Sequence, residues 1–335
     1  MRRLKLILIG AGGALLGGLL LLLSGVLNFA ASSGHWDATD WLLGMAAQQS
    51  VTLRSLTIAA PPLDDPQMVR RGAGHYEMVC ATCHGSPGRL PDAFATALTP
   101  QPPPLLERMQ QWHPPARLFW TIKHGIKRTA MPAWPSQMRD DEVWDMVAFI
   151  EAMPEMEAEA YRALAGDRRD GFGCANCHGE DGRGGGAFPR LDIQSADYLA
   201  DALTAFRDGT RQSGTMISAA RGLSDAQIAA LAAQYAGTPE PQPIGGGRGA
   251  QIALRGIPER DVPACDSCHG AGGRPDYPRL AGQSAAYIET QLRLFSEYGA
   301  GRGGRHAGIM AEVVRWLDEA DMAAVAQWYA GTATE

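Results

Sequence analysis

The sequence predicts an all-α protein made of three tandem repeats behind one N-terminal transmembrane helix. Three Cys-x-x-Cys-His runs begin at positions 80, 174 and 265, and their intervals of 94 and 91 residues are the length of a small domain. A segment with helical periodicity closes each repeat. An apolar run near the N-terminus precedes all three repeats.

The apolar run extends from 6 to 27 and is interrupted only by Ser24. At 1.5 Å per residue it spans about 33 Å, enough for a hydrocarbon core of about 30 Å. Arg2, Arg3 and Lys5 precede it, so the positive-inside rule leaves the N-terminus in the cytoplasm. We expect residues 1–35 to anchor the chain in a bacterial inner membrane, with the repeats in the periplasm. A cleaved signal peptide is the alternative, because small residues follow at 30–32.

Residues 36–65 are predicted to link the anchor to the first repeat. Asp37 to Ser50 has the pattern of a short amphipathic helix, and Trp36 and Trp41 suit the membrane interface. An ordered linker that packs on the first repeat is the alternative.

The repeats are predicted to occupy 66–155, 156–238 and 239–335, the last with its leading linker. Asp65 and Pro66 form a helix start, and the prolines between Leu90 and Pro115 disfavour regular helix there. Helix is expected again over 117–124 and 140–153, and a capping box opens the closing helix of the second repeat at Ser224. The linker between the second and third repeats, residues 238–247, is rich in proline and glycine.

The Cys-x-x-Cys-His runs indicate covalent haem c. Two thiols at this spacing on one helical turn each form a thioether to a haem vinyl group, and the adjacent histidine faces the iron. A zinc site is disfavoured because no second Cys/His pair follows at short spacing, and a disulfide framework leaves the histidines without a role. The predicted attachment residues use every cysteine in the chain: Cys80, Cys83, Cys174, Cys177, Cys265 and Cys268.

The iron ligands are predicted to be one histidine and one methionine in each repeat. His84, His178 and His269 end the three runs. Met216 and Met310 each lie 19 residues before an equivalent tyrosine in the closing helix, and Met131 lies 19 residues before the corresponding Ile150. His124 and His306 are the rival ligands in the first and third repeats, and core filling is the alternative role of each methionine.

The charge of the chain argues against a nucleic-acid partner and is compatible with an acidic protein partner. The net charge of −6 and the lack of a basic tract argue against nucleic acid. Basic residues do cluster before each methionine, where they would balance haem propionates, meet an acidic partner or form a solvated face. They are Lys123, Lys127, Arg128, Arg207, Arg211, Arg302 and Arg305.

Residues from about 160 to 335 resemble the dihaem cytochrome c4 family of class I c cytochromes. The resemblance rests on Cys-x-x-Cys-His-Gly, Pro-Arg-Leu-Ala-Gly-Gln at 278–283, Tyr287, the Met310 loop and the Trp-Tyr-Ala-Gly end. Domain two departs from it at 191–193. Residues 66–153 resemble a single class I cytochrome c domain by their haem motif and Met131-Pro132, with a less typical proline-rich insert.

The resemblance implies three tandem class I cytochrome c domains that carry single electrons in a respiratory chain. It points to a terminal oxidase as acceptor and to a quinol-cytochrome c reductase or a dehydrogenase as further partners. The alternative is a cytochrome subunit of a periplasmic alcohol or sugar-acid dehydrogenase that passes electrons to quinone. With three saturated irons no catalysis is expected; a haem peroxidase would need one of the methionine ligands to be absent.

Overall fold

A computed structural model describes residues 2–105, 114–166, 173–238, 240, 243, 245–270 and 272–331. Over these ranges the chain is helical, with isolated β-bridges and no strand. The helices before the second haem motif are α1 Arg2–Leu23, α2 Asp37–Ser55, α3 Pro66–His75, α4 Ala81–His84, α5 Ala93–Thr96, α6 Pro115–His124, α7 Asp140–Ala152 and α8 Ala158–Ala165. From that motif onward they are α9 Cys174–His178, α10 Ala196–Arg207, α11 Gly214–Ala220, α12 Asp225–Tyr235, α13 Gly247–Arg255, α14 Asp266–His269, α15 Ala285–Tyr298, α16 Ala307–Val314 and α17 Glu319–Tyr329.

Helix α1 is the apolar N-terminal helix, and it ends four residues before the apolar run does, because Gly25 turns the chain with a positive φ of 72°. Its most apolar 18-residue window has a mean hydropathy of 2.5, and none of it is buried. Among the described residues it is the single helix long and apolar enough to cross a membrane.

Helix α2 extends beyond the predicted end at Ser50 and has two different halves. Trp36 and Trp41 at its start are 80% and 67% exposed, whereas Val51 near its end is buried and the helix contacts α6 there. The second half therefore packs on the first repeat, and the first half leaves its indole rings accessible.

The N-terminal core forms where α3 crosses α7. Asp65 caps α3 by accepting the Gln67 amide at 2.9 Å, as the sequence predicts. At Gly72 a Cβ atom would lie 2.1 Å from the Asp145 carbonyl oxygen, so only glycine allows this crossing. After α3 a π-helical turn over Tyr76–Cys80 leads into the first haem motif.

Helix α8 also belongs to the N-terminal core, although it precedes the second haem motif. It packs on α3, with Tyr161 and Ala165 buried in that core. The Tyr161 hydroxyl donates to Glu77 at 2.5 Å, and Glu77 forms an ion pair with Arg89 at 2.7 Å. Helix α8, which lies between the first two motifs, is thus held on the N-terminal core.

The C-terminal core forms where α13 crosses α17, and this crossing is equivalent to that of α3 and α7 in the N-terminal core. Here a Cβ atom on Gly249 would lie 2.2 Å from the Ala324 carbonyl oxygen. Trp328 and Tyr329 are fully buried beside it, with ring centroids 4.8 Å apart.

The central core is smaller and lies between α10 and α12. Leu199, Ala232 and Tyr235 are its buried members. The capping box at Ser224 and Gln227 is confirmed: Ser224 Oγ accepts the Gln227 amide, and Gln227 Oε1 accepts the Ser224 amide. Four positions of the predicted 238–247 linker lie outside the described residues.

Candidate haem sites

Each Cys-x-x-Cys-His run ends in a short helix whose histidine donates from Nδ1 to a prolyl carbonyl. His84 bonds to Pro103 at 2.9 Å, His178 to Pro189 at 3.0 Å and His269 to Pro278 at 2.8 Å. A carbonyl oxygen only accepts, so Nδ1 carries the proton in all three and Nε2 keeps its lone pair. This is the tautomer that a haem iron requires of a proximal histidine.

Burial keeps these three imidazoles neutral. It lowers the pKa of His84, His178 and His269, and the hydrogen bond to the prolyl carbonyl only partly opposes that effect. A neutral imidazole is the form that binds a metal. The donor set fits haem, whereas the described residues contain no group of three His, Cys, Asp or Glu side chains that would hold a bare metal ion.

The predicted attachment cysteines differ in access. Burial raises the pKa of Cys80 to about 12 and that of Cys177 and Cys265 to about 11. Cys174 is exposed. Cys80 and Cys265 contact the N-terminal and C-terminal cores respectively, so a group bound to either would form part of that core.

The three predicted methionine ligands are half-buried and lie in loops or at helix starts. Met131 contacts the N-terminal core and Met310, in α16, contacts the C-terminal core. Met216 lies in the first turn of α11, where its amide donates to Ser213 Oγ at 3.1 Å. Their assignment as iron ligands stays a prediction.

The rival histidines have other contacts. His306 Nε2 is 2.9 Å from Asp276 Oδ2, which engages the nitrogen that would bind iron. His124 is exposed and packs against Trp120, with ring centroids 4.9 Å apart. Of the remaining histidines, His75 is buried, His35 is exposed and His113 lies outside the described residues.

Two arginines of the basic clusters are buried between the second and third repeats. Arg211 donates to the hydroxyls of Tyr198 and Tyr287 at 3.1 and 3.0 Å, and it lies over the Phe206 ring. Arg302 occupies the equivalent place over Phe295, 4.8 Å from the ring centroid.

Neither buried arginine forms an ion pair within the described part of the chain, and Arg302 Nε has no hydrogen-bond partner. Burial and the neighbouring Arg211 lower the pKa of Arg302 to about 9. Buried guanidinium groups without a carboxylate call for an anionic ligand, and haem propionates are of that kind. Arg211 and Arg302 are the residues that would hold them.

The other basic residues lie on the surface or have partners. Lys123 pairs with Asp140, Arg207 with Asp225 and Arg305 with Asp201. Lys127 and Arg128 are exposed. The solvated-face interpretation is wrong for Arg211 and Arg302, which are buried, and for the exposed residues of the cluster it stays a prediction beside the docking role.

Sequence reasoning missed the residues that support the histidines. The Pro189 and Pro278 positions were visible as a shared Pro-Arg-Leu pattern, but nothing in that pattern indicates that their carbonyls accept from a histidine 11 or 9 residues earlier. It also missed Glu142, a buried carboxylate of α7 that reaches the loop before Met216.

Comparisons with known proteins match cytochrome family models to all three repeats. Residues 67–150 match the family model for subunit III of cbb3-type cytochrome c oxidase, and residues 167–233 and 248–331 match the cytochrome c model. The thiosulfate dehydrogenase electron acceptor of Thiomonas intermedia is 41% identical over 169 residues, which cover 47% of this chain and 77% of that protein.

Two further relatives align with about half of the chain. The thiosulfate dehydrogenase electron acceptor of Stutzerimonas stutzeri is 33% identical, over 56% of this chain and 94% of that protein. Cytochrome c4 of Thiocapsa roseopersicina is also 33% identical, over 50% of this chain and 91% of that protein. With its Cys-x-x-Cys-His runs and neutral buried histidines, the chain belongs to the class I c-type cytochromes, which carry electrons on covalently bound haem c.

Proposed function

We propose that this protein is a membrane-anchored, periplasmic, trihaem electron carrier. The observation that supports this proposal most directly is that all three motif histidines donate Nδ1–H to a prolyl carbonyl. Their three Nε2 atoms are therefore available as proximal haem ligands. Haem c supplies a one-electron couple at each site. Met131, Met216 and Met310 are the proposed sixth ligands, and six-coordinate irons would carry electrons without binding a substrate.

The proposed location rests on α1 and the start of α2. An unburied apolar helix of 22 residues is followed by two exposed tryptophans, which favours an uncleaved anchor with an interfacial segment. Class I cytochrome domains are typically periplasmic, which agrees with the charge distribution around α1.

For the partners we propose a sulfur-compound dehydrogenase as electron donor and a terminal oxidase as acceptor. The donor is suggested by the two relatives named thiosulfate dehydrogenase electron acceptors, which match 47% and 56% of this chain. The acceptor is suggested by the match of residues 67–150 to an oxidase subunit model. Electrons would then leave through the first repeat, the part of the chain that matches the oxidase subunit model.

The ligand assignment is tested on the full-length protein in detergent, with haem quantified per chain. We expect three haems and an Fe–Met charge-transfer band that loses about one third of its intensity in each of M131A, M216A and M310A. M138A changes a methionine outside the proposed set and serves as control. Carbon monoxide binding by the unmodified reduced protein would instead support the peroxidase alternative.

The donor is tested by stopped-flow reduction of the oxidised protein. We expect rapid reduction with thiosulfate and a thiosulfate dehydrogenase, and slow reduction with an alcohol dehydrogenase and its alcohol. Faster reduction by the alcohol system would favour the subunit of an alcohol or sugar-acid dehydrogenase and contradict the sulfur-compound donor.

A further inference from the structure

Two glutamines connect the second and third repeats by reciprocal hydrogen bonds. Gln283 Nε2 donates to the Arg190 carbonyl at 3.0 Å, and Gln283 Oε1 accepts the Arg190 amide at 3.0 Å. Gln194 makes the same pair of bonds with Arg279, both at 2.8 Å. Both side chains are almost fully buried, at 2% and 3% exposure. Since each amide meets both a donor and an acceptor of one residue, its orientation is fixed.

Each of these glutamine bonds reaches a proximal histidine of the other repeat. The Arg190 N–H belongs to the peptide group whose carbonyl, on Pro189, accepts from His178. The Arg279 N–H likewise shares its peptide group with the Pro278 carbonyl that accepts from His269. In each case one peptide group bonds through its N–H to a glutamine of the other repeat and through its carbonyl to the histidine of its own repeat.

Hydrogen bonds in such a chain polarise one another. When Gln283 Oε1 accepts the Arg190 N–H, the Pro189 carbonyl becomes a stronger acceptor and withdraws the Nδ1 proton of His178 further. The imidazole would then have more imidazolate character, and it would donate more strongly to a bound haem iron and favour its ferric state.

The first repeat lacks this connection for a reason visible in the sequence. His84 donates to the Pro103 carbonyl, but the next residue is Pro104, whose nitrogen carries no hydrogen. No acceptor can polarise that peptide from its nitrogen side. The first site is therefore an internal control within the same chain.

We propose that Gln283 and Gln194 are positioning residues that lower the reduction potential of the haem in the opposite repeat. Gln283, in the third repeat, acts on the site of His178, and Gln194, in the second, acts on the site of His269. The inference rests on the proposed function, because it requires these histidines to be iron ligands. It makes the potentials of the second and third haems depend on the junction between their repeats.

The test uses Q283L and Q194L in the full-length haem-loaded protein, with each haem followed separately by NMR during a redox titration. Q283L is expected to raise the potential of the second haem so that its reduction equilibrium changes about threefold, or about 30 mV at 59 mV per tenfold. Q194L should do the same to the third haem. In each variant the first haem should be unchanged, and the Nδ1–H proton of the affected histidine should move upfield.

R305A is the matched control, because it removes an exposed contact between the same repeats, Arg305 to Asp201 at 2.6 Å, without touching the histidines. Equal shifts of both haems in one glutamine variant, or the same shifts in R305A, would mean that a loosened junction is the cause and would overturn the inference. Unchanged potentials in both glutamine variants would also overturn it.

A measurement on the unmodified reduced protein covers the case in which a variant does not fold. The Nδ1–H protons of His178 and His269 are expected downfield of that of His84, and equal shifts would contradict the inference. A separate variant, H178A, tests the proposed function itself. If His178 is not an iron ligand, H178A will keep the six-coordinate spectrum of all three haems, and the proposed function fails.

Discussion

The carboxylate of Glu142 accepts a hydrogen bond from the Ser213 hydroxyl at 2.5 Å, although the two residues belong to different repeats. It also accepts the Gly214 amide at 2.7 Å and the Trp134 indole N–H at 3.1 Å. Trp134 follows Met131 by three residues and Ser213 precedes Met216 by three. One buried side chain therefore fixes both segments that carry the first two predicted methionine ligands.

Replacing Glu142 by glutamine should loosen both segments at once. The amide loses one acceptor oxygen and leaves Arg139, 2.9 Å away, without this anionic partner. We expect the free energy of unfolding to fall by about 1–3 kcal/mol and the Fe–Met band to weaken. Chemical denaturation and the visible spectrum measure the two effects. Glu155, which is exposed, provides the control E155Q, and equal losses in both variants would contradict the assigned role.

Acid should destabilise the protein through His75. Burial and the nearby Arg139 and Arg71 lower its pKa to about 3, and its Nε2 contacts Thr215 Oγ1 at 2.7 Å. Below the ordinary histidine pKa of about 6.5, the unfolded chain binds a proton that the folded chain does not, so stability falls as the pH falls. The expected loss from His75 is about 2 kcal/mol between pH 7 and pH 5.

Denaturant titrations at several pH values measure this dependence. H75Q, which cannot titrate, should show a shallower loss over the same interval. A variant slope that equals that of the unmodified protein would rule out His75 as the source.

Removing the charge of Arg302 should lower a haem potential. A buried cation favours the ferrous state, and without it a propionate would be left unbalanced. We expect R302Q to lower the potential of one haem by roughly 60 mV, a tenfold change in its reduction equilibrium. R305Q removes an exposed, paired arginine of the same cluster and should change the potential far less. Similar shifts in the two variants would contradict the propionate role.

The two helix crossings should not tolerate a methyl group. G72A and G249A would place Cβ against backbone carbonyl oxygens at 2.1 and 2.2 Å, and the helices would have to separate. We expect a loss of about 1–3 kcal/mol in each. Gly44, inside α2 with nothing within 4 Å of its Cβ position, gives the control G44A, which should stabilise slightly because alanine favours helix. Thermal unfolding distinguishes these outcomes.

Local signals predicted the helices and the motif chemistry because both depend on residues close together in the sequence. The cap at Asp65, the capping box at Ser224 and the start of α7 at Asp140 follow from side-chain chemistry within one turn. The contacts between repeats were out of reach, because Glu142 lies 71 residues from Ser213 and Gln283 lies 93 residues from Arg190. No periodicity or composition indicates such partners.

The position of α8 shows the same limit. By sequence order it begins the second repeat, yet Tyr161 packs into the N-terminal core and bonds to Glu77, which lies 84 residues earlier. Its amphipathic pattern predicts a buried face but does not say which core buries it.

The partial burial of Cys80 bears on the stage of folding at which its predicted thioether would form. Burial in the folded chain raises the pKa of this half-buried thiol to about 12, so it is a poor nucleophile once α3 has docked. Helix α3 contains Gly72 and Gly74 within ten residues, which makes it a weak helix until α7 supports it. Bond formation at the first site is therefore expected before docking, and the same glycine that permits the crossing lengthens the interval in which the thiol is reactive.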